Sequence, residues 1–192
     1  MEADTANAWR PNMPQPMPIS ENCIILLNDL MSKSQWTPEI SAAFTAMAYR
    51  QREVDVGEGD MLLGIIHAIN KDVPRMRKCF KNSLAYGTDK TAVLVNYGQG
   101  LYFNGFFSEA IDTLLPVHEK DSQSCLVIAM SCMALGLEAK AKQFYKISGE
   151  NIPFEDFFRD RKFPHPQTDK GIDAVFQSME KDYTIWENLS KR

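Results

Sequence analysis

The side chains best suited to chemistry in this chain are four cysteines and three histidines, namely Cys23, Cys79, Cys125, Cys132, His67, His118 and His165. The cysteines form no CxxC pair, and no histidine stands at metal-ligand spacing from them. On a helix, Cys125 and Cys132 would lie about two turns apart, which is too far for a disulfide. The chain also lacks HExxH, GxSxG and glycine-rich phosphate-loop motifs. We therefore expect reduced thiols, no metal, no cofactor and no catalytic activity.

The charged residues do not identify one partner either. A net charge of −4 provides no global reason to expect nucleic acid as a partner. One basic cluster departs from this balance, and its members are Lys71, Arg75, Arg77, Lys78 and Lys81. The simpler interpretation is a solvated helix face. The alternative is a nucleic-acid-associated helical protein that contacts phosphates through Arg75, Arg77, Lys78 and Lys81.

Length and composition define the elements that must position these groups. The chain has 192 residues, of which 44% are apolar and 24% charged, as expected for one compact domain or a short repeat array. Its longest apolar stretches, residues 61–66 and 125–130, are shorter than a membrane span. The first residues lack the basic and apolar regions of a signal peptide. We expect a cytoplasmic protein with no membrane segment.

The pattern of apolar residues and caps predicts helices throughout. Residues 1–19 are proline-rich and predict an extended or flexible arm. Ser20 opens a first predicted helix, and Thr37 with Pro38 opens a second that runs to about residue 54, where Gly57 and Gly59 should break it. Six more predicted helices lie at about 60–70, 73–86, 90–104, 108–115, 122–135 and up to 149, the fourth of these capped by Ser108. No segment alternates like a strand, so the predicted fold class is all-α.

Similar residues recur in the predicted helices at a regular spacing along the sequence. Residues 91–119 resemble a tetratricopeptide repeat (TPR), because Leu94, Tyr97, Gly98 and Leu101 fall where that family has its W-x2-L-G-x2-Y pattern. Weaker matches occur one period earlier, at Leu63 and Gly64, and one period later, at Ala129, Cys132 and Gly136. The resemblance implies a right-handed superhelix of about three to four antiparallel helix pairs. The array would span 20–149, with its best repeats at about 57–90, 91–121 and 122–149.

Small residues in these repeats have a packing role that does not depend on the family. Gly98 and Ala110 should let the two helices of a pair approach closely, while Leu101, Leu114 and Tyr145 should fill the space between neighbouring pairs. A bulkier side chain at Gly98 should overpack the joint.

Residues 150–192 depart from the repeat. They first carry Phe154, Phe157, Phe158 and Phe163 between prolines, a segment too apolar for a free linker and expected to pack on the preceding helices. From about Thr168, a further helix is predicted whose apolar stripe is Ile172, Val175, Phe176, Met179, Tyr183 and Trp186. A capping role on the last repeat is the first interpretation of that helix, and homodimerisation is the second.

Alternate helices are apolar almost all the way round, whereas their partners are amphipathic. The resemblance implies that the apolar helices line the concave side, where a second stripe would form a partner-binding groove. That stripe is Met61, Ile65, Ile69, Val95, Gln99, Tyr102, Phe103, Leu126, Met130 and Met133. Burying each large apolar side chain is worth roughly 1.5–3 kcal/mol, so an exposed stripe would strongly favour an occupant.

Three occupants of the predicted groove remain open. The first is an apolar peptide or helix of a partner protein, which would make the chain a non-catalytic adaptor or chaperone. The second is the chain's own aromatic tail or terminal helix, which would make the chain a dimeric scaffold or regulatory subunit. The third is a tighter bundle with no groove. The carboxylate clamp by which TPR co-chaperones grip acidic C-termini is not reproduced, since only Asn96 matches it while Met61, Ile65 and Val127 are apolar. An apolar groove is similar to that of TPR secretion chaperones.

Overall fold

The computed structural model describes residues 35–87, 89–119 and 121–167, and within them it contains eight α-helices and no strand. The helices are α1 (Pro38–Val54), α2 (Val56–Ile69), α3 (Val73–Tyr86), α4 (Lys90–Phe103), α5 (Phe107–Leu114), α6 (Ser122–Ala134), α7 (Glu138–Ser148) and α8 (Phe154–Phe158). The predicted all-α class is therefore confirmed for the described residues. The predicted arm at 1–19, the helix from Ser20 and the terminal helix from Thr168 lie outside them.

The three apolar helices α2, α4 and α6 begin in the same way. Each has an aspartate at its N-cap whose carboxylate accepts a hydrogen bond from the backbone N–H three residues later, at 2.8, 3.0 and 2.6 Å. These aspartates are Asp55, Asp89 and Asp121, separated by nearly equal lengths of chain. Such a cap satisfies one of the N–H groups that the first helical turn leaves without a partner. The periodic aspartates thus fix where each apolar helix starts.

The turns that follow these helices are also alike. Each contains one residue with positive φ, at 61°, 84° and 76°, and the residues are Lys71, Gly105 and Gly136. The N–H of the next residue donates to the carbonyl five positions earlier, at 2.9, 3.0 and 2.8 Å, which is the Schellman arrangement. The three turns are separated by nearly the same spacing as the caps. Backbone geometry therefore repeats with the period expected from the sequence.

Helices that follow one another along the chain pack against each other. α2 packs on α3, α4 on α5 and α6 on α7, while α2 contacts α4 and α4 contacts α6. One large apolar core runs through these helices from Met61 to Phe158. A smaller core joins α1 to α2 through Phe44, Leu62 and Ile66. The three apolar helices thus form one continuous layer.

Glycines set the distance between paired helices. A methyl group on Gly98 would lie 2.5 Å from Cδ2 of Leu114, and one on Gly64 would lie 2.8 Å from the Phe80 ring. Both distances are shorter than a carbon–carbon contact allows. The same small–large contact therefore occurs twice, and the close approach predicted at Gly98 is confirmed. Leu114, which was predicted to fill space between neighbouring pairs, packs against Gly98 within its own pair.

Two predicted helix starts were wrong. Gly57 and Gly59 do not interrupt the chain but lie inside α2, which begins at Val56 rather than at Asp60. They are needed there because a methyl group on Gly57 would collide with the backbone at Gly87, and one on Gly59 with Arg52. Ser108 is not a cap either, since α5 already begins at Phe107 as the chain leaves the preceding Schellman turn.

Candidate functional site

The ten residues of the predicted groove differ in how far they are covered. Met61, Tyr102 and Met130 are buried, and only Phe103, at 56%, is exposed. The other six are partly buried, namely Ile65, Ile69, Val95, Gln99, Leu126 and Met133. The second apolar stripe is therefore not a uniformly exposed surface, and what covers each part differs along the layer.

At the α2 end, the cover is α1. Ile65 and Ile69 pack against the smaller core, as Trp36 and Ile40 do, and Ile65 also packs against the main core. The Trp36 ring nitrogen donates to the Asn70 side chain at 2.8 Å, which holds the start of α1 against the end of α2. This end of the stripe is thus committed to internal packing.

Asn96 is also engaged inside the layer. Its side-chain nitrogen donates to the Ala92 carbonyl at 2.8 Å and lies 3.8 Å from the Met61 sulfur. Ala92 lies on α4 itself, so only the contact with Met61 links α4 to α2. The amide at the one position that matched a carboxylate clamp is thus engaged within the protein.

The part of the stripe on α4 and α6 contains its one exposed side chain. Val95 on α4 and Leu126 and Met133 on α6 pack on the main core but remain partly exposed. Phe103, at the end of α4, has the most exposed apolar side chain of the stripe. We call Val95, Gln99, Phe103, Leu126 and Met133 the open section.

The tail reaches the same layer. Residues 161–167, here called the strap, follow α8 without regular secondary structure. A guanidinium nitrogen of Arg161 lies 3.2 Å from the Met130 sulfur, and the Gln167 N–H donates to the Gly105 carbonyl at 2.9 Å. The His165 carbonyl lies directly against Gly105. The strap therefore passes from α6 to the turn that ends α4.

Aromatic rings hold the beginning of the strap. Tyr145 on α7 contacts the rings of Phe154, Phe157 and Phe158 at centroid distances of 5.4, 5.0 and 5.7 Å. The Arg161 guanidinium lies 3.9 Å above the Phe157 ring, a cation–π geometry. The prediction that this aromatic tail packs on the preceding helices is confirmed.

The electrostatics of the layer agree with this position of Arg161. Burial raises the pKa of the Tyr102 hydroxyl above its ordinary value, and the positive charge of Arg161 partly offsets that rise. The tyrosine therefore stays neutral at physiological pH. Sequence reasoning missed Arg161 and Gln167 as contact residues, because no local pattern connects them to α4 and α6.

The basic cluster lies on and before α3, and much of its charge is paired. Arg77 lies 2.8 Å from the Glu109 carboxylate and 4.7 Å above the Phe106 ring. Arg75 lies 3.2 Å from Asp72. Lys78 and Lys81 are exposed, and the Lys71 ammonium donates to the Phe103 carbonyl at 2.6 Å. Two of the four proposed phosphate-binding side chains are thus engaged within the protein.

The thiols in the described part of the chain are unpaired and mostly covered. Cys125 and Cys132 are buried and Cys79 is partly buried, whereas Cys23 lies outside the described residues. Burial raises the pKa of the Cys132 thiol to about 12, so it is protonated and unreactive at neutral pH. Within 35–87, 89–119 and 121–167, no three His, Cys, Asp or Glu side chains are grouped to hold a metal ion. None of the described helices is long and apolar enough to cross a membrane.

Comparison with known proteins gives no relative. No protein-family model matches the chain, and neither a characterised protein nor a solved structure matches it significantly. Function must therefore be inferred from the repeated helices, the open section and the strap.

Proposed function

We propose that this chain is a non-catalytic protein–protein interaction module of the cytoplasm, an adaptor or chaperone that holds an apolar peptide or helix of a partner protein. The binding surface is the layer of α2, α4 and α6, at the open section. The fold we propose is a TPR-like right-handed superhelix in which these three helices line the concave side.

Repeated local geometry supports the TPR-like arrangement. Caps at Asp55, Asp89 and Asp121 and turns at Lys71, Gly105 and Gly136 recur with closely similar spacing. A constant repeat unit adds a constant rotation at each step, which produces a superhelix with one concave face. The contacts of α2 with α4 and of α4 with α6 agree with a shared inner layer.

The observation that carries the binding proposal is the exposure of Phe103. It is a large aromatic side chain, 56% exposed, at the end of a helix whose neighbouring side chains Val95 and Gln99 are also only partly covered. Aromatic residues surrounded by apolar side chains are typical anchors of protein interfaces. The partly exposed Leu126 and Met133 on α6 extend the apolar area, and methionine adapts to partners of different shape.

A substitution at Phe103 tests this proposal. Full-length protein would be used to capture partners from native extract, with quantification by mass spectrometry, and the leading partner would then be purified and titrated directly. Phe103→Glu places a charge in the open section and should weaken the specific partner at least about tenfold, since truncating an interface anchor costs about 2 kcal/mol or more. Val95→Asp should act in the same direction.

Tyr86 provides the matched control. It is also an exposed aromatic at the end of a helix, at 69%, but lies on α3 outside the open section. Tyr86→Glu should leave partner binding unchanged. If all variants keep their helicity by circular dichroism and Phe103→Glu binds the partner as tightly as Tyr86→Glu does, the open section is not the binding site.

A further inference from the structure

The strap contacts the inner layer through few groups. Phe163 and Pro164 are its partly buried residues, and the Phe163 ring packs on the main core, stacked 6.4 Å from Phe158. One backbone hydrogen bond, from Gln167 to Gly105, one side-chain contact, from Arg161 to Met130, and the close approach of the His165 carbonyl to Gly105 also hold the strap. Lys162, His165 and Pro166 remain exposed. This shallow seating resembles a bound peptide more than a structural element of the core.

The sequence of the strap explains how it binds. Phe163, Pro164, His165 and Pro166 form an apolar–Pro–X–Pro segment. Prolines favour an extended conformation without internal hydrogen bonds, so that little entropy is lost when such a segment binds. The backbone of the strap can therefore approach Gly105, where the absence of a side chain leaves room for the His165 carbonyl.

We propose that the strap is a ligand held in cis, and that a partner binds by displacing it with an extended apolar–Pro–X–Pro segment of its own. This inference rests on the proposed function and deepens it by naming the class of partner and the competitor. The incoming apolar residue replaces Phe163, and the prolines keep the backbone extended past Gly105. While the strap is seated, it lowers the apparent affinity of that partner.

The competition between the tethered strap and a free peptide of the same sequence has a measurable size. A tethered segment is present at an effective concentration of about millimolar, so it outcompetes the same peptide in solution until the tethered copy is weakened. The chain carries a second segment of this type, residues 13–16, Met-Pro-Gln-Pro. The strap and residues 13–16 therefore offer two natural sequences for peptides that test binding to the layer of α2, α4 and α6.

The experiment titrates a fluorescently labelled peptide with the sequence of residues 157–168 into the full chain and follows its anisotropy. Phe163→Ser removes the ring of the tethered strap, and Arg161→Ala removes its contact with Met130. Each variant should bind the labelled peptide at least about tenfold more tightly than the unaltered chain, because the competitor is weakened. Lys162→Ala, at an exposed position within the strap, should bind it as the unaltered chain does.

Three outcomes would overturn the inference. One is equal affinity of all four proteins, which would place the peptide site away from the strap while leaving the open section as a binding site. Another is no binding to any protein at millimolar peptide, and the third is equally tight binding of a scrambled peptide. If Phe163→Ser loses its helicity, the peptide affinity of Arg161→Ala alone tests the inference. Failure of the proposed function is recognised separately, by unchanged partner binding in Phe103→Glu.

Discussion

Gly98 offers the sharpest test of the packing between paired helices. It lies in the interior of α4, and a methyl group there would lie 2.5 and 2.8 Å from the two terminal carbons of Leu114. Leu114 is fully buried, so it cannot turn out towards solvent. Reaching an ordinary carbon–carbon contact requires a displacement of about 1 Å. Gly98→Ala therefore has to shift α4 against α5.

Two opposing energies decide whether Gly98→Ala raises or lowers the free energy of unfolding. Alanine is favoured over glycine in a helix interior by about 1 kcal/mol, whereas overpacking a core costs about 1–3 kcal/mol. The upper part of that range applies because the methyl group meets the branch of Leu114 as well as its ends. We expect Gly98→Ala to lower the free energy of unfolding by about 1–2 kcal/mol.

A double-mutant cycle isolates the clash. With Leu114→Ala in the background the space is free, and Gly98→Ala should then raise the free energy of unfolding by about 1 kcal/mol, so the two effects differ by about 2–3 kcal/mol. Urea unfolding followed by circular dichroism measures all four proteins. Stabilisation by Gly98→Ala in both backgrounds would refute the clash, because α4 and α5 would then not be in contact at this position.

Three further predictions concern a cap, a histidine and a thiol. Asp89→Ala should cost about 1 kcal/mol of unfolding free energy while Asp89→Asn costs much less, because asparagine still accepts the Ala92 N–H. Burial lowers the pKa of His67, so the folded state favours the neutral ring, and stability is lost as pH falls through the unfolded pKa of about 6.5. Urea titrations of His67→Gln should therefore show a smaller loss of stability between about pH 7.5 and about pH 5.5 than the unaltered chain does. Iodoacetamide followed by mass spectrometry should label Cys132 only when the protein unfolds, and labelling in native buffer at the rate of an exposed thiol would contradict its burial.

Local patterns predicted most of the helices. Thr37 caps α1 and Pro38 is its first residue, because a missing N–H costs nothing at that position. Gly87 ends α3, and Pro116 lies just beyond α5 in a short 3₁₀ turn. Each of these features depends on neighbouring residues alone, so the sequence contains the information directly.

The start of α2 shows where local rules are insufficient. A pair of glycines two positions apart favours a break when only propensity is considered. Here Gly57 and Gly59 instead allow α2 to approach the backbones of Gly87 and Arg52, and that tertiary contact outweighs the propensity cost. Asp55 was not predicted as a cap, although Asp89 and Asp121 occupy the same position before α4 and α6 and would have marked the start of α2.

The candidate site was harder to predict than the fold, because apolar content does not specify what covers it. Sequence reasoning identified a second stripe on α2, α4 and α6 but could not assign Ile69 to the core with α1 or Met130 to a contact with Arg161. Both covers come from distant segments of the chain. A count of apolar residues on the stripe therefore overestimates the surface available to a partner.

That uneven cover also limits where a partner can bind. α1 holds the α2 end through a packed core and a Trp36–Asn70 hydrogen bond, so opening it would disrupt the smaller core. The strap is held between α6 and the turn that ends α4 by the Phe163 ring, the Arg161–Met130 contact and one backbone hydrogen bond to Gly105, which a competing peptide can replace group for group. Since displacement costs least where the cover is held by the fewest contacts, a partner should enter between α4 and α6 beside Phe103. The unequal internal packing along the stripe, rather than its total apolar area, thus determines where a partner binds.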